Sequence, residues 1–332
     1  MRELEYSIYN TVRYFALFDM PVTAVQIWRS LVWQPEDLPA GRQVHGRRWQ
    51  GQHLPSLADI QQVLVSSAWL AQKLGSKWGY VFLKGQEGSV RRRLDRHIIA
   101  QHKWRLTRRL ARWLALMPFV RLLAGSGSLA LSNTRPTSDL DMFVIAHRGR
   151  IWTTRLFLLA AAQLLGRRRK HWDEQAPDRL CFNHFMSDED LTMPVAVRNL
   201  YTAVAYTHLA PLFGEHVFEN FARANAAWMK MYLMYPEMAP LAPKQAVAIP
   251  SSLFFLKRLF ENILLEPVGQ AVERWAESFQ RGLIEKHARL RPASARQGRI
   301  AVSSQELAFH PDSRVPDILR QFAQDAGQKA LL

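Results

Sequence analysis

Residues 125–146, GSGSLALSNTRPTSDLDMFVIA, place a turn of small residues between two apolar segments. Gly125 and Gly127 allow backbone conformations that are closed to other residues, and they let a ligand approach the main chain closely. Ser128 begins a short helical segment whose first N–H groups have no partner within the helix and can face an anion. The pattern therefore predicts a strand, a turn and a short helix, with an anion site at the turn.

Two acidic residues, Asp139 and Asp141, begin the apolar run that follows the turn. Side chains alternate between the two faces of a strand, so both carboxylates are predicted to lie on one face. Neighbouring carboxylates repel each other, which raises the pKa of one of them or requires a cation. Mg²⁺ or Mn²⁺ would meet that requirement and leave positions for a substrate phosphate. Each half of the pattern also occurs without a ligand, as a loop turn or a solvated strand edge.

Together, and in this order, the turn and the paired acids resemble the signature of the DNA polymerase β-like nucleotidyltransferase superfamily. The resemblance implies a short mixed sheet with helices. It also implies attack of an acceptor hydroxyl on the α-phosphate of a nucleoside triphosphate, with release of pyrophosphate. Gly127 and Ser128 would then hold the β- and γ-phosphates, and Asp139 and Asp141 would be the catalytic residues that ligate the metal ions. No Gly-Lys-Ser/Thr follows the glycines, so the site is not a P-loop.

The superfamily that this motif resembles usually adds a third carboxylate on a later strand. The corresponding segment here is LCFNHFMS, residues 180–187, which has Asn183 at the expected place, or His184 if the register differs by one residue. An amide can accept a hydrogen bond, but it supplies no negative charge and takes no proton. The acids at 188–190 are an alternative source of a third carboxylate, although a solvated turn is the better explanation of them. This departure bears on catalysis more than on nucleotide binding.

The N-terminal third of the chain predicts a winged-helix-like domain over residues 1–88, in which three helices precede a β-hairpin and a loop is inserted at 35–55. Such modules bind DNA or serve only as packing units. A basic linker helix is predicted over 89–117. The stretches YFALFDMPVTAVQIW and GRIWTTR extend the resemblance to a group of bacterial proteins that join a helical or winged N-terminal part to such a domain. The inserted loop departs from that group.

The remaining chain divides by its pattern into an α/β unit and a helical part. Residues 118–213 are predicted to form the nucleotidyltransferase core, ending in a helix around 196–212. Residues 214–332 are predicted to be a helical C-terminal region, with a basic linker before a final short helix near 314–326. The fold class is therefore α+β, with flanking winged-helix-like and helical parts.

Several cationic and aromatic side chains beside the core have two interpretations. Arg150 and Arg155 flank the helix after the acidic strand and could reach a phosphate or pair inside the fold. Trp104 and Trp113 on the basic helix could stack on bases, although helix packing explains them as well. The basic helix itself is either a solvated, packing surface or a surface that faces RNA or phosphate.

Charge and cysteine content bound the partners and the compartment. The 332 residues carry a formal net charge of +16, which favours polyanionic partners such as nucleic acids or nucleotides. Cys181 is the single cysteine, which excludes a disulfide framework and suits a reducing cytosol. The charged N-terminus is unlike a signal peptide and the most apolar helix is too short to cross a bilayer. A cytoplasmic protein without a membrane partner is expected.

Two functions follow as hypotheses. The first is a Mg²⁺-dependent nucleotidyltransferase that uses an NTP and modifies a hydroxyl of a small molecule, a protein or RNA. The second is a catalytically impaired protein of the same fold that binds nucleotide or nucleic acid, the latter through the basic N-terminal half. A pure transcription regulator ranks last, because the candidate recognition helix LADIQQVLVSS contains no Arg or Lys to read base edges.

Overall fold

The protein is described by a computed structural model over residues 2–33, 54–170, 175–235, 245–265, 267–289, 298–310 and 313–325. All but the last two residues of the predicted insert at 35–55 lie outside these ranges. The described chain is a mixed α+β structure, as the sequence predicts.

The helices are α1 (Arg2–Ala16), α2 (Ala24–Arg29), α3 (Leu57–Ser66), α4 (Ala68–Lys73), α5 (Gly88–Leu114), α6 (Gly127–Ala130), α7 (Ile151–Leu164), α8 (Leu200–Thr207), α9 (Glu215–Met229), α10 (Ser251–Ile263), α11 (Val268–Arg289) and α12 (Val315–Asp325). The strands are β1 (Val22–Thr23), β2 (Leu74–Lys77), β3 (Tyr80–Leu83), β4 (Val120–Gly125), β5 (Leu140–Ala146), β6 (Leu180–Ser187), β7 (Ala210–Phe213), β8 (Arg299–Val302) and β9 (Glu306–His310).

The N-terminal part has the predicted order of three helices and a hairpin, with the short helix α4 added before the hairpin. Its three strands form an antiparallel sheet in the order β1-β3-β2. Thr23 begins α2 and Ser56 begins α3, each through a capping box that satisfies N–H groups at the start of the helix. The exposed residues of α3 are Ala58, Gln61, Gln62, Val65 and Ser66. This exposed face therefore has no cationic side chain.

A six-stranded mixed sheet in the order β7-β4-β5-β6-β9-β8 forms the centre of the rest of the molecule. Strands β4 and β5 are antiparallel, whereas β5 and β6 are parallel and joined through α7. A parallel pair needs such a crossover because its second strand must start at the same end as its first. The Gly-Ser turn follows β4 and the paired acids lie at the start of β5, so the two features belong to adjacent strands at the centre of the sheet.

The C-terminal predictions were partly wrong. Residues 210–213, which were predicted to end a helix, form β7 and pair with β4. Residues 299–302 and 306–310, predicted as part of a basic linker and a helical region, form β8 and β9 and extend the core sheet beside β6. These segments become strands because they pair with a neighbouring strand, and segments of four or five residues are too short for their periodicity to predict it. The predicted final helix is observed as α12.

The two faces of the sheet have separate hydrophobic cores. Phe143 and Ile145 of β5 pack on one face with the N-terminal part, α8, α9 and Phe322 of α12. Met142 and Val144 pack on the other face with α5, α7 and Ala276 of α11. This alternation continues to Asp141, which shares the face of Phe143.

Helix α5 buries cationic side chains as well as apolar ones such as Leu110 and Leu114. Arg93, Arg96 and Lys103 are each less than a tenth exposed, whereas Ile98 and Trp113 of the same helix are mostly exposed. Arg96 donates to the carbonyl oxygen and to the carboxylate of Asp19. The buried cations are accepted because carbonyl and carboxylate oxygens satisfy their N–H groups.

Helix α10 buries charged side chains and exposes apolar ones. Its buried side chains are Lys257, which donates to the carbonyl oxygens of Ala115 and Val120 at 2.8 Å, and Glu261, which accepts from the N–H of Phe119 at 2.6 Å. Apolar residues such as Phe255 are exposed instead. None of the described helices has the length and apolar character that a membrane span requires.

Candidate nucleotide and cation site

The Gly-Ser turn is attached directly to the acidic strand. Strand β4 ends at Gly125, and the N–H of Ser126 donates to the carbonyl oxygen of Asp141 at 3.0 Å. Gly127 begins α6 with a φ of +59°, a left-handed conformation that glycine adopts without strain. Within the described chain, no side chain caps this helix start. The turn thus faces the first residues of β5, as the motif predicts.

Gly127 is required for a second reason, which is the close approach of Asp141. A Cβ atom added to Gly127 would lie 2.6 Å from Oδ2 of Asp141, well inside contact distance. The carboxylate of Asp141 therefore rests against the main chain of the turn. Ser128, the other residue expected at the phosphates, is partly exposed one position further along.

Asp139, Asp141 and Cys181 form a cluster in which one potential ligand atom of each residue lies within 4.8 Å of the others. Cys181 is the β6 residue that pairs with Asp141 across the sheet. Arg169 also enters the cluster, since it forms a short ion pair with Oδ2 of Asp139 and lies 3.6 Å from the sulfur of Cys181. One carboxylate of the pair is thus already neutralised by a side chain of the chain itself.

The electrostatics of the pair differ between its two members. Burial, followed by the negative charge of Asp139, raises the pKa of Asp141 to about 7. Burial also raises the pKa of the Cys181 thiol, so this sulfur stays protonated near neutral pH. Placing a divalent cation against Asp141 would remove the penalty on its charge. The protein therefore holds an acid that is poised to ionise when a cation arrives.

Asn183 lies where the third carboxylate was expected. Its side-chain nitrogen donates to Oδ1 of Asp141 at 3.0 Å. A bulge in β6 produces this contact, because Met142 pairs with Phe182 and the next residue of β5 pairs with His184. The bulge leaves Asn183 outside the pairing and directs its amide to the acid.

His184, the alternative for the third position, belongs to a separate buried network. Its Nε2 lies 2.9 Å from Oε1 of Glu306, and the hydroxyl of Tyr206 lies 2.9 Å from its Nδ1. Arg299 forms a two-point ion pair with the same glutamate. Burial lowers the pKa of His184, which keeps the ring neutral. This histidine is a structural residue between β6 and β9.

The loop between the turn and the acids is held by buried cations of α5. Arg93 donates to the carbonyl oxygens of residues 131 and 132. Lys103 donates to the carbonyl oxygen of Ser138 at 2.8 Å and to Asp178 at 2.6 Å. The basic helix thus positions both ends of the loop that separates Ser128 from Asp139.

None of the other candidate residues is placed to contact a ligand at the site as the sequence suggested. Arg150 donates to the carbonyl oxygens of Gly149 and Leu265, and Arg155 donates to Gln280 of α11. Trp104 is buried against Gly125, where an added Cβ would lie 2.6 Å from its ring. Trp113 is 59% exposed. Arg155 therefore binds inside the fold, although its partner is an amide and not an acid.

Asp188 has partners outside the site. It accepts from the N–H of Arg148 at 2.7 Å and lies 3.5 Å from Nδ1 of His147. Asp190 accepts from the N–H of Thr192, as a turn residue does. Both acids stabilise the loop that follows β6.

Comparison with known proteins found no matching family model, no matching curated protein and no matching solved structure. The resemblance to the polymerase β-like superfamily therefore rests on the sequence alone, chiefly on the motif in residues 125–146.

Two residues of this site had no recognisable signal in the sequence. Arg169 belongs to a run of basic residues, 167–170, whose only sequence clue is its position before the strand that carries Cys181. Tyr201 of α8 is partly buried, and burial together with the charge of Asp141 raises its pKa. Alternation along β6 could have placed Cys181 beside Asn183, but it offered no reason to pair Cys181 with the acids.

Proposed function

We propose that this protein is a nucleotidyltransferase that depends on a divalent cation and has a core similar to that of the DNA polymerase β-like superfamily. One observation carries the proposal, namely the convergence of the turn and the acids. Oδ2 of Asp141 rests against Gly127, the start of the helix that would receive the phosphates. A phosphate at the turn would therefore lie beside a carboxylate that already favours a cation.

The donor set suits Mg²⁺ or Mn²⁺, since Asp139 and Asp141 offer carboxylate oxygens and the protonated thiol of Cys181 does not compete as a thiolate. These two acids would hold the ion, which when bound stabilises the charge on the attacking and leaving oxygens. Gly127 and Ser128 would bind the β- and γ-phosphates. Arg169 would release Asp139 as the cation binds and could then turn to the triphosphate.

The substrate in this proposal is an NTP, and the acceptor is a hydroxyl of a small molecule, a protein or RNA. Nucleic acid is the partner that the net charge of +16 favours. Contact by α3 has little support, because its exposed face is uncharged. The exposed arginines of α5, such as Arg105 and Arg109, are better placed to meet a polyanion.

A second candidate is a protein of the same fold that binds nucleotide without transferring it. Two contacts favour this alternative. Asn183 occupies the place of the third acid, and Arg169 covers Asp139. In that case the triphosphate would be bound and released unchanged.

The test is a thermal-shift screen of the full chain with ATP, GTP, CTP and UTP, each with and without Mg²⁺. The Asp139→Asn/Asp141→Asn variant is measured alongside, with Asp190→Asn as the matched control in the nearby loop. A ligand at about 100 times its Kd adds roughly 2.7 kcal/mol of stability. We expect a Mg²⁺-dependent shift with at least one triphosphate that the double variant loses and the control keeps.

Pyrophosphate release then separates the two candidates. Release by the wild type but not by the double variant supports the transferase. A bound triphosphate without release supports the non-catalytic protein. No shift with any triphosphate contradicts both.

A further inference from the structure

A cleft of about 580 Å³ lies between the N-terminal part, α5 and the end of α6. Ligand-binding clefts in proteins have volumes of about 300–1,000 Å³. Its walls include Gln26 and Tyr80 on one side, Gln101 of α5 on another, and Leu131 beyond α6. The cleft is thus large enough for a small organic ligand, and the catalytic acids are not part of its lining.

The charge of the cleft has one sign. Its described lining contains no Asp or Glu, and it contains three arginines and two histidines: Arg93, Arg105, Arg108, His97 and His208. Val25 and Leu131, which are at least partly exposed, add apolar surface to the same lining. A ligand complementary to this lining has a negatively charged group attached to an apolar or aromatic part.

Nε of Arg93 and Oε1 of Gln245 are buried without a hydrogen-bond partner, but neither atom is exposed to the cleft. The polar side chains that a ligand can reach include Gln26 and Gln101, which line the cleft and are at least partly exposed.

We propose that this cleft is a second ligand site, which binds a nucleoside monophosphate or an organic anion of the same size and chemistry. The phosphate would meet Arg105, and the base would lie against the apolar wall formed by Val25 and Leu131. The site does not depend on the proposed transferase activity. Its position against Leu131 gives it a direct contact with the loop that leads from the turn to the acids.

The test is isothermal titration of AMP into the full-length Asp139→Asn/Asp141→Asn variant in EDTA, so that cation-dependent binding is absent. Adenosine and inorganic phosphate are titrated separately. We expect AMP to bind and each fragment to bind at least tenfold more weakly, because neither satisfies both the cationic and the apolar walls. Failure of AMP to bind overturns the proposal, whatever the result for triphosphates.

Variants of this protein locate the binding. Val25 lines the cleft and is 38% exposed, so Val25→Trp fills the space, whereas Val65→Trp alters a residue that is 89% exposed outside the lining. We expect at least a tenfold loss of affinity in the first variant and less than a twofold change in the second. Arg105→Gln and Arg109→Gln form a second pair on α5, of which only Arg105 lines the cleft. Equal effects within both pairs would place AMP elsewhere.

Discussion

Asn183 donates a hydrogen bond of 3.0 Å to Asp141, at the position where the motif led us to expect a third carboxylate. A bulge in β6 produces the contact, so the strand is built to bring residue 183 to the acid. Because residue 183 is an amide and not an acid, the site contains two carboxylates and not three. The site can therefore remain stable without a bound cation, at the expense of a group that could take a proton from an acceptor.

Asn183→Asp tests this interpretation. Without divalent cations, we expect the variant to be less stable by about 1–3 kcal/mol, because a third carboxylate faces Asp141 and the hydrogen bond is lost. Mg²⁺ should restore the stability and produce a larger thermal shift than in the wild type. Asn220→Asp, on α9 beside Arg223, is the control and should respond to Mg²⁺ as the wild type does. An unchanged Mg²⁺ response in Asn183→Asp would argue against a cation at this position.

Arg169→Gln should strengthen cation binding in the absence of nucleotide. The guanidinium is paired with Asp139, and an ion pair at about 4 Å contributes roughly 4 kcal/mol of Coulomb energy at an effective dielectric constant of 20. We expect the Kd for Mn²⁺, measured by calorimetry, to fall about tenfold, which corresponds to about 1.4 kcal/mol. Arg168→Gln removes a neighbouring exposed charge and should change the Kd much less. Weaker Mn²⁺ binding in Arg169→Gln would show that the arginine supports the cation.

Gly127→Ala should abolish triphosphate binding and reduce stability. The left-handed backbone conformation costs an alanine about 1–2 kcal/mol, and the added methyl group would displace the carboxylate of Asp141. Gly149→Ala is the matched control, since Gly149 has a φ of +65° and nothing within 4 Å of an added Cβ. Chemical denaturation should show a loss of stability in both variants, and a larger loss in Gly127→Ala because the carboxylate of Asp141 must move. Only Gly127→Ala should lose the nucleotide-dependent shift, and equal shifts in both would exclude the turn.

Glu306 makes the stability of the fold sensitive to acid. Burial acts to raise its pKa, but hydrogen bonds from His184 and Arg299 outweigh burial and hold the pKa at about 2. This folded-state pKa lies below the unfolded value of about 4.3. Ionised Glu306 therefore makes its full contribution to the free energy of unfolding above about pH 4.3, and this contribution is lost as the pH falls towards 2. Urea unfolding between about pH 4.3 and pH 2 should show that loss, on the order of 3 kcal/mol.

Glu306→Gln should remove this contribution, leaving a variant that is less stable at pH 6 and whose stability changes less below pH 4.3. Burial lowers the pKa of His310 to about 4, which causes a separate loss of stability as the pH falls from about 6.5 to 4. This second loss does not depend on Glu306 and should persist in the variant. Glu277→Gln, which removes an exposed ion pair with Arg281, is the control and should follow the wild-type profile. Parallel profiles for Glu306→Gln and the wild type would contradict the assignment.

The local elements of the site could be predicted because their causes are local. Glycine at Gly127 signals a turn, and alternation in the apolar run that begins at Asp139 signals a strand. The register of β6 was predictable only to within one residue, since nothing in LCFNHFMS announces the bulge that moves Asn183 out of the pairing. Strands β8 and β9 were missed because β9 is stabilised by pairing with β6 and β8 by pairing with β9, and neither pairing leaves a local pattern in the sequence.

The sequence by itself therefore determined the turn, the paired acids and the order of helices and strands around them, because backbone preferences and alternation act over a few residues. Only the tertiary structure decided which charges meet. It brought Arg169 to Asp139, Lys103 to the loop before the acids, and His184 to Glu306 rather than to the site. Each of these contacts joins residues at least 30 positions apart along the chain. The partners of these residues depend on how the sheet and the helices pack. A charged residue therefore cannot be assigned its partner from the neighbouring sequence.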